Sequence, residues 1–276
     1  MARTRTGLNM KLDNKVAIIT GAGSGIGRSL AQRFAANGAR AVICTDLNGD
    51  RAEETARLIG QQASAETLDV ADENAIKDII ARVEQAYNGI DVFVSNAGYG
   101  RLGGLEMPTP EWQKMMSVHT WSHLAAARAV VPGMIARGGG YLLSTASAAG
   151  LLSQFDSGAY AVSKHAAVAL AEWLSINYVE QGIGVSVLCP QAVRTNVLDF
   201  MKDPNALVDV VQAGGDGVLE PDTVADLCIE AMADGRFLVL PHPEVGTYFQ
   251  RKANDYDRWL SGMRRMRNRF HGVASG

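Results

Sequence analysis

Thr20-Gly21-Ala22-Gly23-Ser24-Gly25-Ile26-Gly27 closes the apolar run Val16 to Thr20 and opens a helical pattern. Glycines at a strand end permit a tight turn and close backbone approach, so a pyrophosphate can sit on the amide groups of the following helix. The spacing Gly-x-x-x-Gly-x-Gly departs from the common dinucleotide fingerprint, and a plain glycine loop is the bland alternative. Outward from this turn, further apolar, β-rich runs recur at Ala41 to Thr45, Thr67 to Val70, Val92 to Ser95, Tyr141 to Ser144, Val185 to Leu188 and Phe237 to Leu240. Helical patterns separate them. Strands so uniformly apolar are buried on both faces, and right-handed crossovers then require a mostly parallel sheet. The expected fold is an α/β, Rossmann-type, doubly wound seven-stranded sheet with helices on both faces.

The punctuation agrees with that spacing. Gly38, Gly60, Gly89 and Gly182 stand where helices should stop, the last ending a long helix that begins near Ser157. Thr109 followed by Pro110 reads as an N-cap and first helical position. No repeat or composition break marks a second domain, so residues 12–241 are expected to form one domain. Residues 1–11 are polar and basic and read as a flexible arm. The segment 196–220 pairs apolar residues with Gly214, Gly215 and Gly217 and suits a lid. Residues 242–276 read as a helical extension.

The chain has 276 residues, 47% of them hydrophobic and 20% charged, with a net charge of -3. At this length about three quarters of the unfolded surface can be buried without staples. Cys44, Cys189 and Cys228 are odd in number and set in apolar runs, which reads as reduced core thiols rather than a disulfide framework or zinc site. No stretch has the length of a membrane span and no apolar segment follows the N-terminal arginines. These features point to a cytoplasmic protein, with neither metal nor nucleic acid as a partner.

Asp46 lies just past the second strand, about 20 residues beyond the glycine turn, where a carboxylate accepts hydrogen bonds from adenosine ribose hydroxyls and repels a 2′-phosphate. That favours NAD over NADP. The alternative is a capping aspartate, since Asn48, Gly49 and Asp50 follow. Tyr160 and Lys164 are four apart and share one helix face, so an ammonium can draw a phenol's pKa down from about 10 towards working range. Ser147, 13 residues before Tyr160, can donate a hydrogen bond to a substrate oxygen. Singly each is bland, the tyrosine and lysine as a surface pair and the serine as a strand end. Their placement together after the turn carries the argument.

These residues resemble the short-chain dehydrogenase/reductase family over residues 12–241. Thr20 to Gly27 is similar to its glycine motif, Ser95-Asn96-Ala97-Gly98 to its fourth-strand motif, and Ser147, Tyr160 and Lys164 to its catalytic set. The resemblance implies that Tyr160 exchanges the proton, Ser147 orients the reacting oxygen, and Lys164 lowers the tyrosine pKa and binds the nicotinamide ribose. It implies cofactor contacts at Gly21, Gly23, Ser24, Gly25, Ile26, Gly27, Asp69, Val70, Asn96, Ala97, Gly98, Val118, Pro190, Val193 and Thr195. It also implies a homodimer or homotetramer. Two positions depart from the family pattern. His119 stands where an Asn usually anchors a proton relay through its backbone carbonyl, and reads either as a catalytic substitute or as a packed histidine. Gln191 replaces a Gly after Pro190.

Ligands of such sheets bind beyond the strand C-termini, so Tyr99, Arg101, the Leu151 to Phe155 loop, Gln191 and Leu198 are the expected substrate contacts. Arg101 is the one nearby cation and reads more readily as a solvated loop arginine, and the lining reads as apolar. The implied activity is NAD(H)-dependent interconversion of a secondary alcohol and a ketone or aldehyde with an apolar body. The alternatives are a non-catalytic dinucleotide sensor or scaffold, and dehydration or epimerisation on the same fold. Trp259, Met263, Met266 and Phe270 recur at helical spacing opposite several arginines. That face could pack on its own subunit, on a symmetry mate or on a membrane surface.

Overall fold

A computed structural model describes residues 8–195 and 216–272. The expected lid lies outside the described residues up to position 215, and Leu198 with it. Seven strands form one sheet: β1 (Val16–Thr20), β2 (Ala41–Asp46), β3 (Ala63–Thr67), β4 (Val92–Ser95), β5 (Gly140–Thr145), β6 (Ile183–Leu188) and β7 (Leu238–Val239). Their order is β3-β2-β1-β4-β5-β6-β7, and every pairing is parallel. The order reverses between β1 and β4, and the cleft above that switch point is where an open parallel sheet takes its ligand.

Helices cover both faces. α1 (Gly25–Ala36) and α8 (Pro221–Asp234) bury Leu30, Phe34, Val224 and Cys228 on one side; α3 (Glu73–Tyr87), α5 (Ser122–Ala136) and α7 (Gly158–Tyr178) bury Ile76, Ile80, Val130, Val168 and Leu174 on the other. α2 (Gly49–Ile59) lies beside β2 and β3. The three cysteines are buried free thiols, all pushed up to about 12 by desolvation. No helix among the described residues is long and apolar enough to cross a membrane, and no cluster of metal-ligating side chains occurs among them.

Two local readings need correction. The third strand is Ala63–Thr67 and not Thr67 to Val70. It is an edge strand, paired only with β2, so its outer side needs no apolar residues. The apolar signal came from Leu68 and Val70, which are buried just beyond the strand's end. The helix α4 (Thr109–Met116) is preceded by Pro108 at the N-cap, with no side-chain cap, so Thr109 is its first residue rather than its cap. Gly38 and Gly182 do follow helical segments in the left-handed conformation that lets the chain turn back.

The C-terminal extension is two helices, α9 (Glu244–Asn254) and α10 (Tyr256–Phe270), separated by Asp255, whose carboxylate accepts from the Arg258 N–H at 2.9 Å. They fold back over their own subunit. Val245 is fully buried, the Lys252 ammonium donates to the Leu151 carbonyl at 2.6 Å, and Phe270 packs on Phe155 with ring centroids 5.8 Å apart. At the other end, the Met10 N–H donates to the Met232 carbonyl at 2.8 Å and Leu12 is buried.

Candidate active site

The glycine turn is built by close approach. A Cβ on Gly27 would lie 2.1 Å from the Gly21 carbonyl oxygen, and one on Gly21 would lie 2.8 Å from the Ala97 Cα. Any side chain at either position pushes α1 away from the sheet. Ser24 precedes α1 as its N-cap residue without a side-chain cap, so the first helical N–H groups are not consumed by its hydroxyl. Thr195 lies against Gly25, which has φ +52°; a Cβ there would come within 2.8 Å of the threonine methyl. Val193 is buried and bridges to Leu219, and the Pro190 carbonyl accepts from the Ala148 N–H at 2.8 Å. These contacts bring the segment after β6 over the turn.

Asp46 is held against the turn by two backbone amides. One carboxylate oxygen accepts from the Gly23 N–H and the other from the Asn48 N–H, each at 2.9 Å. The carboxylate is therefore oriented beside the turn and is not the cap of α2, a role taken by the Asn48 side chain. Arg28 braces the turn from beneath, donating to the Gly23 carbonyl and to Glu54, both at 2.6 Å. Asp69 accepts from the Ala71 N–H at 2.9 Å, and Val70 is buried beside it. Asn96 is held on both sides of its amide. Its amide donates to the Thr20 carbonyl at 3.0 Å and its oxygen accepts from the Thr145 hydroxyl at 3.1 Å, which ties β1, β4 and β5 together at the switch point. The Thr20 hydroxyl in turn accepts from the N–H groups of Asn96 and Ala97.

Ser147 sits between β5 and α6 (Ala149–Leu152), its hydroxyl accepting from the Ala149 N–H at 3.1 Å. Across from it, Tyr160 on α7 has its phenol pushed above the ordinary value by burial, while a hydrogen bond with the Ser147 side chain pulls it back. Lys164, one turn further, is 3% exposed and donates to the Thr145 carbonyl at 3.0 Å. Its ammonium lies 5.6 Å from the Tyr160 ring centroid, and burial lowers its pKa to about 8. The expectation that Lys164 sets the tyrosine pKa is thus not what dominates here. Desolvation outweighs a charge that is itself desolvated and bonded elsewhere.

His119 lies in a π-helical turn, Ser117–Trp121, between α4 and α5. Such a bulge re-aims side chains. Here His119 bonds to the Ser163 hydroxyl, and the Thr120 hydroxyl donates to the Ser163 carbonyl at 3.0 Å. The Tyr99 N–H donates to His119 Nε2 at 3.1 Å, so the proton is on Nδ1, which donates to Ser163 Oγ at 2.9 Å. Ser163 Oγ passes the bond to the Tyr160 carbonyl at 3.0 Å. With both ring nitrogens committed, and with burial and the Lys164 charge holding its pKa well below the ordinary value, the imidazole is neutral. Its ring stands edge-on to Tyr160, centroids 5.5 Å apart, and a Cβ on Gly98 would meet it at 3.3 Å. Both nitrogens of the imidazole are thus bonded within the site and its ring packs on Tyr160. Val118 beside it is buried.

A cleft of about 1100 Å³ opens over Ser147 and Tyr160. Phe155 and Gln191 line it as expected. Tyr99 does not: its ring packs with Met107, Met115 and Trp112, and its hydroxyl is buried without a partner. The missed residues belong to the extension. Tyr248, Trp259, Met263, Met266 and Phe270 form an apolar wall, and Arg251, Arg258, Arg265 and Arg269 join Arg101 as cations. The Trp-Met-Met-Phe periodicity was visible in the sequence, but nothing local said that the wall it forms faces the strand ends.

A cradle that any Cβ would fill, an oriented carboxylate 23 residues beyond it, and a serine-tyrosine-lysine set at the strand ends define a dinucleotide-binding oxidoreductase. A profile of the short chain dehydrogenase family matches residues 15–205, and the chain belongs to that family. It is 34% identical over 261 residues to 1-deoxy-11-beta-hydroxypentalenate dehydrogenase of Streptomyces exfoliatus, covering 91% of this chain and 92% of that one. A short chain dehydrogenase/reductase of Burkholderia phymatum, solved with NAD, superposes with a TM-score of 0.81 at 28% identity over 90% of this chain and 96% of that one. A 7 alpha-hydroxysteroid dehydrogenase solved with NADH and 7-oxo glycochenodeoxycholic acid superposes with a TM-score of 0.78 at 27% identity, covering 84% and 94%.

Proposed function

We propose that the chain is an NAD(H)-dependent oxidoreductase that interconverts a secondary alcohol and a ketone on a substrate with an apolar body. The observation that carries this reading is Ser147 and Tyr160 meeting at the floor of the cleft, with Lys164 buried behind them. The Ser147 hydroxyl donates to the reacting oxygen as charge develops on it, and Tyr160 gives or takes the proton at that oxygen. Lys164 holds the ribose side of the site, and His119 with Ser163 fixes the backbone from which Tyr160 projects. The pyridine nucleotide, when bound, supplies or accepts the hydride. The apolar wall of Leu152, Phe155, Trp259 and Phe270 suits a bulky hydrocarbon, in keeping with the similar hydroxypentalenate dehydrogenase and the similar hydroxysteroid dehydrogenase solved with an oxo bile acid.

Asp46 supports NAD over NADP, because its oriented carboxylate repels a 2′-phosphate. The carboxylate stands directly beside Gly23 at the rim of the turn, where a Cβ would meet it at 2.8 Å. Asp46→Ala should lose roughly tenfold in NAD affinity, about one charge-assisted hydrogen bond, and gain in NADP affinity. Fluorescence titration of NADH and NADPH reads both changes, and unaltered preference rejects the assignment. A panel of secondary alcohols and ketones followed by NADH absorbance tests the activity. Exposed Trp121, Trp173 and Ile176 support self-association, which sedimentation measures.

A further inference from the structure

We propose that the substrate carries a carboxylate at the end remote from its reacting oxygen, and that Arg258, Arg265 and Arg269 of α10 receive it. The proposal rests on the oxidoreductase reading of the cleft floor but uses none of its residues. From Glu244 to Gly272 the chain has seven Lys or Arg against three Asp or Glu, although the whole protein carries -3. Positions 258, 265 and 269 are separated by seven and four residues, so they share one helix face. That face runs directly beside Trp259, Met266 and Phe270 and lines the cleft. Arg264 and Arg267 of the same helix border a separate hollow behind Phe155 instead.

The acids of the cleft are already engaged. Asp156 accepts from His271 Nε2 at 2.9 Å, Asp216 accepts from the Tyr248 hydroxyl at 3.1 Å, and Asp255 caps α10. Arg101 pairs with Glu111 at 2.6 Å. Among the described residues no carboxylate comes within 4.0 Å of Arg258, Arg265 or Arg269, whereas Arg33, Arg82, Arg137 and Arg194 elsewhere all have acidic partners. Like charges four apart on a helix repel, so Arg265 and Arg269 weaken α10 until an anion neutralises them. The cofactor's phosphates are not that anion, since no residue of the Gly21 to Gly27 turn lines this cleft. A membrane surface is broad and flat, whereas these arginines line a concavity whose floor is Ser147 and Tyr160. A hydrocarbon body on the aromatic wall with its carboxylate on the guanidinium fork satisfies both halves of the roof.

The test titrates the full chain, saturated with NADH, with an oxo bile acid and with its methyl ester, by calorimetry and by initial rate. The acid should bind about tenfold more tightly than the ester at low salt, the scale of one or two partly screened guanidinium pairs, and lose most of that advantage at about 0.5 M NaCl. In an R258Q/R265Q/R269Q variant whose NADH affinity and circular dichroism match the parent, the acid's advantage should vanish. An ester that binds as tightly as the acid overturns the proposal, as does an advantage that survives the triple substitution. Binding of neither ligand beside intact NADH binding also overturns it. If the acid binds preferentially but no ketone is reduced, the oxidoreductase reading fails and the anion site stands.

Discussion

The floor and the roof of the cleft are made differently. The floor, formed by the ends of β4 and β5, the π-helical turn and α7, consists of side chains whose polar atoms are committed to one another: Thr20 to Asn96 to Thr145, Lys164 to Thr145, His119 to Ser163 to Tyr160. The roof, α9 and α10, is a layer held by few anchors, and α10 has no buried residue. Catalysis needs donors fixed to a fraction of an ångström, which a closed hydrogen-bond network supplies. Recognition of a particular substrate needs area and charge that can vary without disturbing the network. The helical layer that follows β7, with no buried residue on α10, provides these.

The comparison breaks most severely at Tyr160. Tyr160→Phe keeps the ring against His119 and removes the hydroxyl to which proton exchange is assigned, so turnover should fall by roughly 10² to 10⁴ while NADH binding persists; retained turnover means the floor is not catalytic. The buried histidines sharpen the contrast next. His119 and His123 are neutral, their pKa values lowered by burial, that of His123 to about 3. The unfolded chain takes up these protons from about pH 6.5 downward and the folded chain does not, so stability is fully present above that pH and is lost on acidification. His123 alone should cost about 2 kcal/mol at pH 5 relative to neutrality. Urea unfolding across pH 5 to 7 should show a flatter dependence for His123→Phe than for the parent, and equal slopes refute the account.

A smaller effect is expected where floor and roof touch. Lys252→Met leaves the Leu151 carbonyl without its donor but keeps the buried stem, at a cost of about 1–2 kcal/mol. KM for a bulky substrate should rise several-fold with little change in kcat, because the roof shifts and the network does not; a fall in kcat alone contradicts the division. Ending the chain near residue 245 should remove the apolar wall and raise KM for bulky substrates while NADH affinity stays. The smallest change is expected in oligomeric state, since α10 is turned inward on its own subunit.

What could be read from residues alone was whatever depends on short-range pattern. The apolar runs of β1 and β4, buried on both faces, can be nothing but central parallel strands, and Gly21 and Gly27 are legible because only glycine admits the contacts they make. Tyr160 and Lys164 stood out by their helical spacing only together with Ser147 and the glycine turn, and by their resemblance to the family's set. β3 was misplaced because an edge strand is freed from the apolar rule that identifies its neighbours. His119 was ambiguous because the fate of an imidazole depends on what its two nitrogens meet, here Tyr99 and Ser163, 20 and 44 residues away.

The chain order of strands and turns was settled by local sequence, since periodicity and backbone freedom are properties of neighbours along the chain. The direction in which α10 faces was settled only by the tertiary structure. An amphipathic helix specifies that one side must be covered, but burial is non-directional, and only the packing of Lys252 on Leu151 and Phe270 on Phe155 decides that the covered side closes over Ser147 and Tyr160.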